Sequence, residues 1–183
     1  MAIIKKNMQR PDDLSSLFDG IDISMANQNI TNASDLLQRV GITTFPVNLG
    51  EILAMLVITL RFEELSDDIS GILDLNTNII TVEKRHPRQR QAFTIAHEIA
   101  HFCLHQNEDS LFEDKIFFRG VDANSIEYQA NEFAGDLLMP REEFLNQIRS
   151  GNTTIEGLAE HFGVSTLAIR VRAKNLNLSG HGL

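Results

Sequence analysis

Two stretches decide the fold: Gln91–His105, QAFTIAHEIAHFCLH, and Glu127–Pro140, EYQANEFAGDLLMP. The first predicts a helix over Arg88 to His105, with Pro87 well placed for its first turn. Within it, His97-Glu98-Ile99-Ala100-His101 is H-E-x-x-H. Residues four apart share one face of a helix, so two imidazoles can grip one ion. Glu98 sits beside them, where its carboxylate can reach a coordinated water. Zinc brings the pKa of such a water down to about 7, and a carboxylate can then accept its proton during attack on a carbonyl. At this composition, chance would put the pattern in roughly one or two of every hundred chains. An apolar helix is also a poor place for two merely solvated histidines.

A catalytic zinc takes three protein ligands and keeps a fourth position open. His105 lies one more turn along, but eight residues of helix put it about 12 Å from His97 along the axis, too far to share an ion. It is better read as a support behind the ligands, a helix cap or a packed histidine. The longer pattern H-E-x-x-H-x-x-G-x-x-H also fails, because Leu104 and Asn107 stand where its Gly and last His belong. A downstream carboxylate is left, and Glu127 is the best placed. It opens a second helix, Ser125 to Leu138, whose apolar positions are Ile126, Ala130, Phe133, Ala134, Leu137 and Leu138. Ala96 and Ala100 on one helix, with Ala130 and Ala134 on the other, would let the backbones approach closely. Glu127 is equally a first-turn acid favoured by the helix dipole. Asn131, His105 and Tyr128 are candidates to support the ligands, and Tyr128 and His105 to stabilise an oxyanion. Cys103 lies off the ligand face and suits a small core side chain.

Upstream, Asn32 or Ser34 can cap a short helix ending near Val40, and Asn48 can start GEILAML. LVITLRF (56–62), Ser70–Leu75 and Ile79–Val82 read as strands, with Asn76–Asn78 as a turn. Gln106–Asn124 reads as a loop with a short strand around Ile116–Phe118. A helix follows over Arg141–Arg149, then two short ones from Thr154 to about Asn175. Residues 1–30 are polar and weakly periodic, a loosely docked arm. Three parts result: an arm and short helix (1–40), the domain carrying the motif (41–145), and a helical extension (146–183).

The chain has 183 residues, 43% hydrophobic and 22% charged, enough for a real core. A single cysteine rules out an internal disulfide and suits a reducing cytosol. The N-terminus has no apolar run of signal-peptide length, and Ile52–Leu60 is about half of a membrane span. A cytoplasmic protein without membrane attachment is expected. The net charge of −9 argues against a general nucleic-acid binder. It is uneven: net −7 over residues 1–83, −3 over 84–140 and +1 over 141–183. The acidic front half is a solvated surface or, alternatively, an attractor for a basic partner.

Both quoted stretches resemble the ImmA/IrrE family of zinc-dependent metallopeptidase-like proteins. That family pairs R-x-x-F-T-x-A-H-E-x-G-H-F with a downstream E-x-x-A-N-x-F-A-x-x-L-L-M-P, and DISGILDLNTNIITV (68–82) resembles the hairpin it carries before the zinc helix. The resemblance covers roughly residues 45–145 well and 146–178 more loosely. The chain departs from the pattern at Ala100, where many members have Gly. The resemblance implies zinc ligands His97, His101 and Glu127, and Glu98 as catalytic acid/base. It implies an α+β, zincin-like (gluzincin-type) domain: a small sheet, two packed zinc-ligand helices and a helix-turn-helix-like tail. Members commonly act beside a helix-turn-helix repressor, which they cleave or inactivate, in mobile elements and toxin–antitoxin-like pairs. A regulatory endopeptidase acting on an Xre-like repressor is therefore expected. Its rival is a non-catalytic toxin or antirepressor that only binds its regulator; an intact Glu98 favours the enzyme.

The tail TTIEGLAEHFGVSTLAIRVRAKNLNL (153–178) reads like a helix-turn-helix with Gly163 at the turn and Ser165 as cap. As a DNA reader it would set Arg170, Arg172 and Lys174 on phosphates. The acidic balance favours docking on the protein body or on a partner instead.

Overall fold

The computed structural model describes residues 30–107, 110–115 and 126–178. Residues 1–29 of the arm expected over 1–30, and the strand expected at Ile116–Phe118, lie outside that set, while Ile30 is buried in the core.

In chain order the elements are α1 (Ala33–Val40), α2 (Leu49–Met55), β1 (Thr59–Glu63), β2 (Ile69–Asp74), β3 (Ile79–Glu83), α3 (Arg88–Leu104), β4 (Leu111–Lys115), α4 (Ile126–Leu138), α5 (Arg141–Arg149), α6 (Ile155–Phe162) and α7 (Thr166–Asn175). The strands form one mixed sheet in the order β1-β3-β2-β4. β1 runs parallel to β3, and the other two pairings are antiparallel.

The sheet is covered on one face. Leu73 pairs with Ile80 and Phe112, and Gly71 with Val82 and Asp114, so these residues share a face. Leu73, Ile80, Val82 and Phe112 are buried, while Ile72, Thr81 and Glu113 on the other face are not. α3 crosses the covered face, contacting β2, β3 and β4, and α4 packs along α3. The start of α3 is tied to the end of β3, where Gln91 Nε2 donates to the carbonyls of Glu83 (3.2 Å) and Lys84 (3.1 Å). One cluster of buried apolar side chains runs from Ile30 to Leu176.

Two strands differ from their sequence reading. The fourth strand, Leu111–Lys115, lies in a stretch read as loop, where polar residues gave no strand signal. It is an edge strand, where charges such as Glu113 and Asp114 are tolerated and discourage further pairing. β1 starts at Thr59 because Leu56, Val57 and Ile58 close α2 instead. Ile58 N–H donates to Leu53 O (2.9 Å) and Val57 N–H to Ala54 O (3.2 Å). These are the two hydrogen bonds of a Schellman cap, and they put Val57 at φ 56.

The tail docks on this body. Thr154 and Ser165 cap α6 and α7 by accepting from Gly157 N and Ala168 N, each at 3.1 Å. The Phe162 ring stacks on Phe144 at 5.6 Å and meets Phe45 edge-on. Arg172 is buried: its guanidinium pairs with Asp136 and donates to Met139 O at 2.9 Å. Of the three basic residues a DNA reader would use, Arg172 is thus committed inside the protein.

A left-handed conformation costs a β-branched residue roughly 1–2 kcal/mol. Val57 is half exposed, so its side chain offsets little of that cost by burial. Val57→Gly is expected to raise stability by about 1 kcal/mol, a Tm gain of about 2–4 °C. A calorimetric scan showing a lower Tm would mean that Val57 contributes packing that outweighs the strain.

Candidate metal centre

α3 and α4 meet along small side chains: Ala96, Ala100, Ala130 and Ala134 are all fully buried. That close approach brings the first turn of α4 against the middle of α3. His97 Nε2 and His101 Nε2 lie 3.0 Å apart, as i, i+4 spacing dictates. The Glu127 carboxylate closes the triangle, with Oε2 3.2 Å from His97 Nε2 and Oε1 3.5 Å from His101 Nε2. One donor atom from each of the three residues falls within 4.8 Å of the others, a group that could hold a metal ion. The two histidines are buried, and Glu127 is partly open. Two imidazole nitrogens and a carboxylate oxygen form a donor set that suits zinc, so the residues present fit the ion.

Glu98 stands apart from this triangle. It is completely buried, and neither carboxylate oxygen has a hydrogen-bond partner among the described residues. Burial pushes its carboxyl up to about 8. An unpartnered acid in so dry a place is costly to leave idle, which suits a group that exchanges a proton. Burial acts on Glu127 in the same direction, but hydrogen bonds from His101 and His97 outweigh it and hold that carboxyl well below the usual carboxylate range. Burial lowers His101. His97 is also pressed downward by burial, yet the nearby carboxylates of Glu127, Glu98 and Asp114 raise it overall. The two carboxyl groups are thus driven apart, Glu98 toward the neutral acid and Glu127 toward the anion.

The supporting residues fall on the far side of the rings. Asn131 Oδ1 lies 3.2 Å from His97 Nδ1. His105 is buried behind His101, with its Nδ1 3.1 Å from His101 Nδ1 and its Nε2 3.4 Å from Gln129 Oε1. Both ring nitrogens of His105 are thus engaged, one by the back of the His101 ring and one by Gln129. Tyr128 sits at the surface, 44% exposed. Cys103 is outside the donor group, and burial pushes its thiol up to about 12, which suits an inert core side chain.

Three contributors escaped sequence reasoning. Phe112 of β4 stacks on His101 with ring centroids 4.5 Å apart. Gln129 anchors His105. Gly71 of β2 makes room for the α3 side chains: a Cβ there would meet Thr94 Cγ2 at 2.4 Å and Glu98 Oε1 at 2.9 Å. A glycine inside a strand is a signal for such an approach, and Gly71 was the visible one.

The model for the IrrE N-terminal-like domain, a peptidase family, matches residues 51–174. No curated protein sequence matches the chain. Among solved structures, a Mycobacterium tuberculosis transcriptional regulator shares the fold, with a TM-score of 0.61 at 19% identity. The match covers 89% of this chain and 50% of that one, so the chain spans half the regulator's length.

The contact between β2 and α3 can be tested with two glycines. Gly71→Ala is expected to destabilise by about 1–3 kcal/mol through overpacking. Gly135→Ala, on α4 with open space around it, is expected to stabilise by about 0.5–1 kcal/mol. Urea melts of both variants read the difference, and equal effects would mean that Gly71 does not meet Thr94 and Glu98 this closely.

Proposed function

The chain belongs to the ImmA/IrrE family, and from that premise we propose that it is a zinc-dependent endopeptidase of regulatory type. Its substrate is a helix-turn-helix repressor of the Xre-like kind, cut at a narrow choice of site. His97, His101 and Glu127 hold the zinc, and Glu98 is the acid/base. Residues 41–145 form a zincin-like domain and residues 146–183 a helix-turn-helix-like extension. The observation that carries this reading is the convergence of three donors next in sequence to a buried carboxyl that has no hydrogen-bond partner among the described residues.

Zinc, when bound, supplies Lewis acidity to the scissile carbonyl and to water. The chain's own residues do the rest. Glu98 takes a proton as water's oxygen forms its bond to the carbonyl carbon, and returns a proton to the amine as the C–N bond breaks. Burial raises its proton affinity above that of an ordinary carboxylate, which favours the proton-accepting step. Glu127 stays ionised and keeps negative charge on the ion side of the two neutral imidazoles. The α3–α4 contact holds all four groups on rigid helices, which limits the reorganisation the reaction requires.

The test incubates the full chain with a helix-turn-helix repressor, taken from the neighbouring genes if one is encoded there, and follows the repressor's intact mass. Cutting at one site is expected, abolished by a chelator and restored by zinc. Glu98→Gln should slow it by about 10²–10⁴-fold while zinc stays bound. A repressor left uncut, but held in a stable complex by both forms, would make the protein a toxin-like or antirepressor-like binding antagonist.

A further inference from the structure

We propose that His105 is a positioning residue for the metal centre: a neutral imidazole whose bare Nδ1 accepts the Nδ1 proton of His101, and which is itself fixed by Gln129. The inference rests on the metal reading above and concerns this chain's own residues. Nε2 is the atom that both His97 and His101 turn toward Glu127, so Nε2 is the nitrogen each offers to an ion. A neutral imidazole that gives Nε2 to a metal carries its proton on Nδ1. For His97 that proton has an oxygen acceptor, Asn131 Oδ1 at 3.2 Å. For His101 the facing atom is another ring nitrogen, His105 Nδ1 at 3.1 Å.

Two N–H groups cannot face each other at that distance. His105 must therefore present a lone pair at Nδ1 and carry its own proton on Nε2. That Nε2–H points at Gln129 Oε1, 3.4 Å away. The polarity then runs one way without conflict, from His101 through His105 to Gln129. The His101–His105 contact is shielded, with His105 3% exposed and Phe112 stacked on His101 and tilted against His105, while Gln129 lies at the surface end. Metal-binding histidines commonly donate to a carboxylate, which fixes the ring and also makes it more basic. An imidazole acceptor fixes the ring without adding negative charge. The chain thus orients its second histidine while leaving Glu127 as the one anionic donor.

The full chain, labelled with ¹⁵N at histidine and loaded with one equivalent of zinc, tests this by long-range ¹H–¹⁵N correlation. The expected spectrum has His101 protonated at Nδ1, and His105 protonated at Nε2 with an unprotonated Nδ1. In parallel, competition with a chromogenic chelator should show zinc bound about 10–100-fold more weakly by His105→Leu. His105→Gln, whose amide can both accept and donate, should recover most of that loss, with the apo forms melting alike. His105 protonated at Nδ1, or zinc affinity unchanged in His105→Leu, would overturn the inference and leave the metal reading standing. A wild type that takes up no zinc would remove the metal reading and the inference together. Should His105→Leu fail to fold, the wild-type spectrum decides alone.

Discussion

The contact between α3 and α4 is what the rest of the molecule depends on. Four fully buried alanines, two on each helix, replace the bulk that would otherwise keep the backbones apart. Only at that separation does a carboxylate on the first turn of α4 reach two imidazoles in the middle of α3. Glu127 Oε2 and Oε1 stand 3.2 and 3.5 Å from the two Nε2 atoms. The i, i+4 spacing within α3 aligns the imidazoles with each other, but it cannot supply a third donor. The second helix supplies it.

The other elements brace that contact. The sheet presents Leu73, Ile80, Val82 and Phe112 to α3, and Gly71 leaves space where a side chain would collide with Thr94 and Glu98. At its far end α4 is held by the tail, through Arg172 on Asp136 and on the Met139 carbonyl and through Asn175 on Glu132. Burial then sets the electrostatics. It raises Glu98, which has no hydrogen-bond partner among the described residues, and is overcome at Glu127, which has two. Two carboxyl groups of ordinary chemistry thus arrive at opposite protonation tendencies.

Much of this was legible in the sequence. The helices were visible in their periodicity and caps: Asn32, Asn48 and Ser165 each accept a backbone N–H of the helix they open. His97, Glu98 and His101 were visible because their spacing is a property of the helix alone. Glu127 was visible as a candidate but not as a neighbour, since neither periodicity nor composition encodes how two helices cross. β4 was hidden for a related reason. Leu-Phe-Glu-Asp-Lys has weak strand character by itself and becomes a strand through pairing with β2. Val57 broke a β-branched run that read as strand, because the hydrogen bonds closing α2 prevail over local preference. The partners behind the histidines, Gln129 above all, depend on side-chain packing across elements and left no pattern to read.

The central claim is that one ion sits among His97, His101 and Glu127. Zinc-edge X-ray absorption on the metal-loaded full chain tests it most directly. The account predicts one zinc per chain, with two imidazole nitrogens at about 2.0–2.1 Å, carboxylate oxygen at about 2.0–2.2 Å and no sulfur. A third imidazole in the shell would bring His105 into the site, and sulfur at about 2.3 Å would bring in Cys103. Either result, or a chain that holds no stoichiometric zinc, would contradict it.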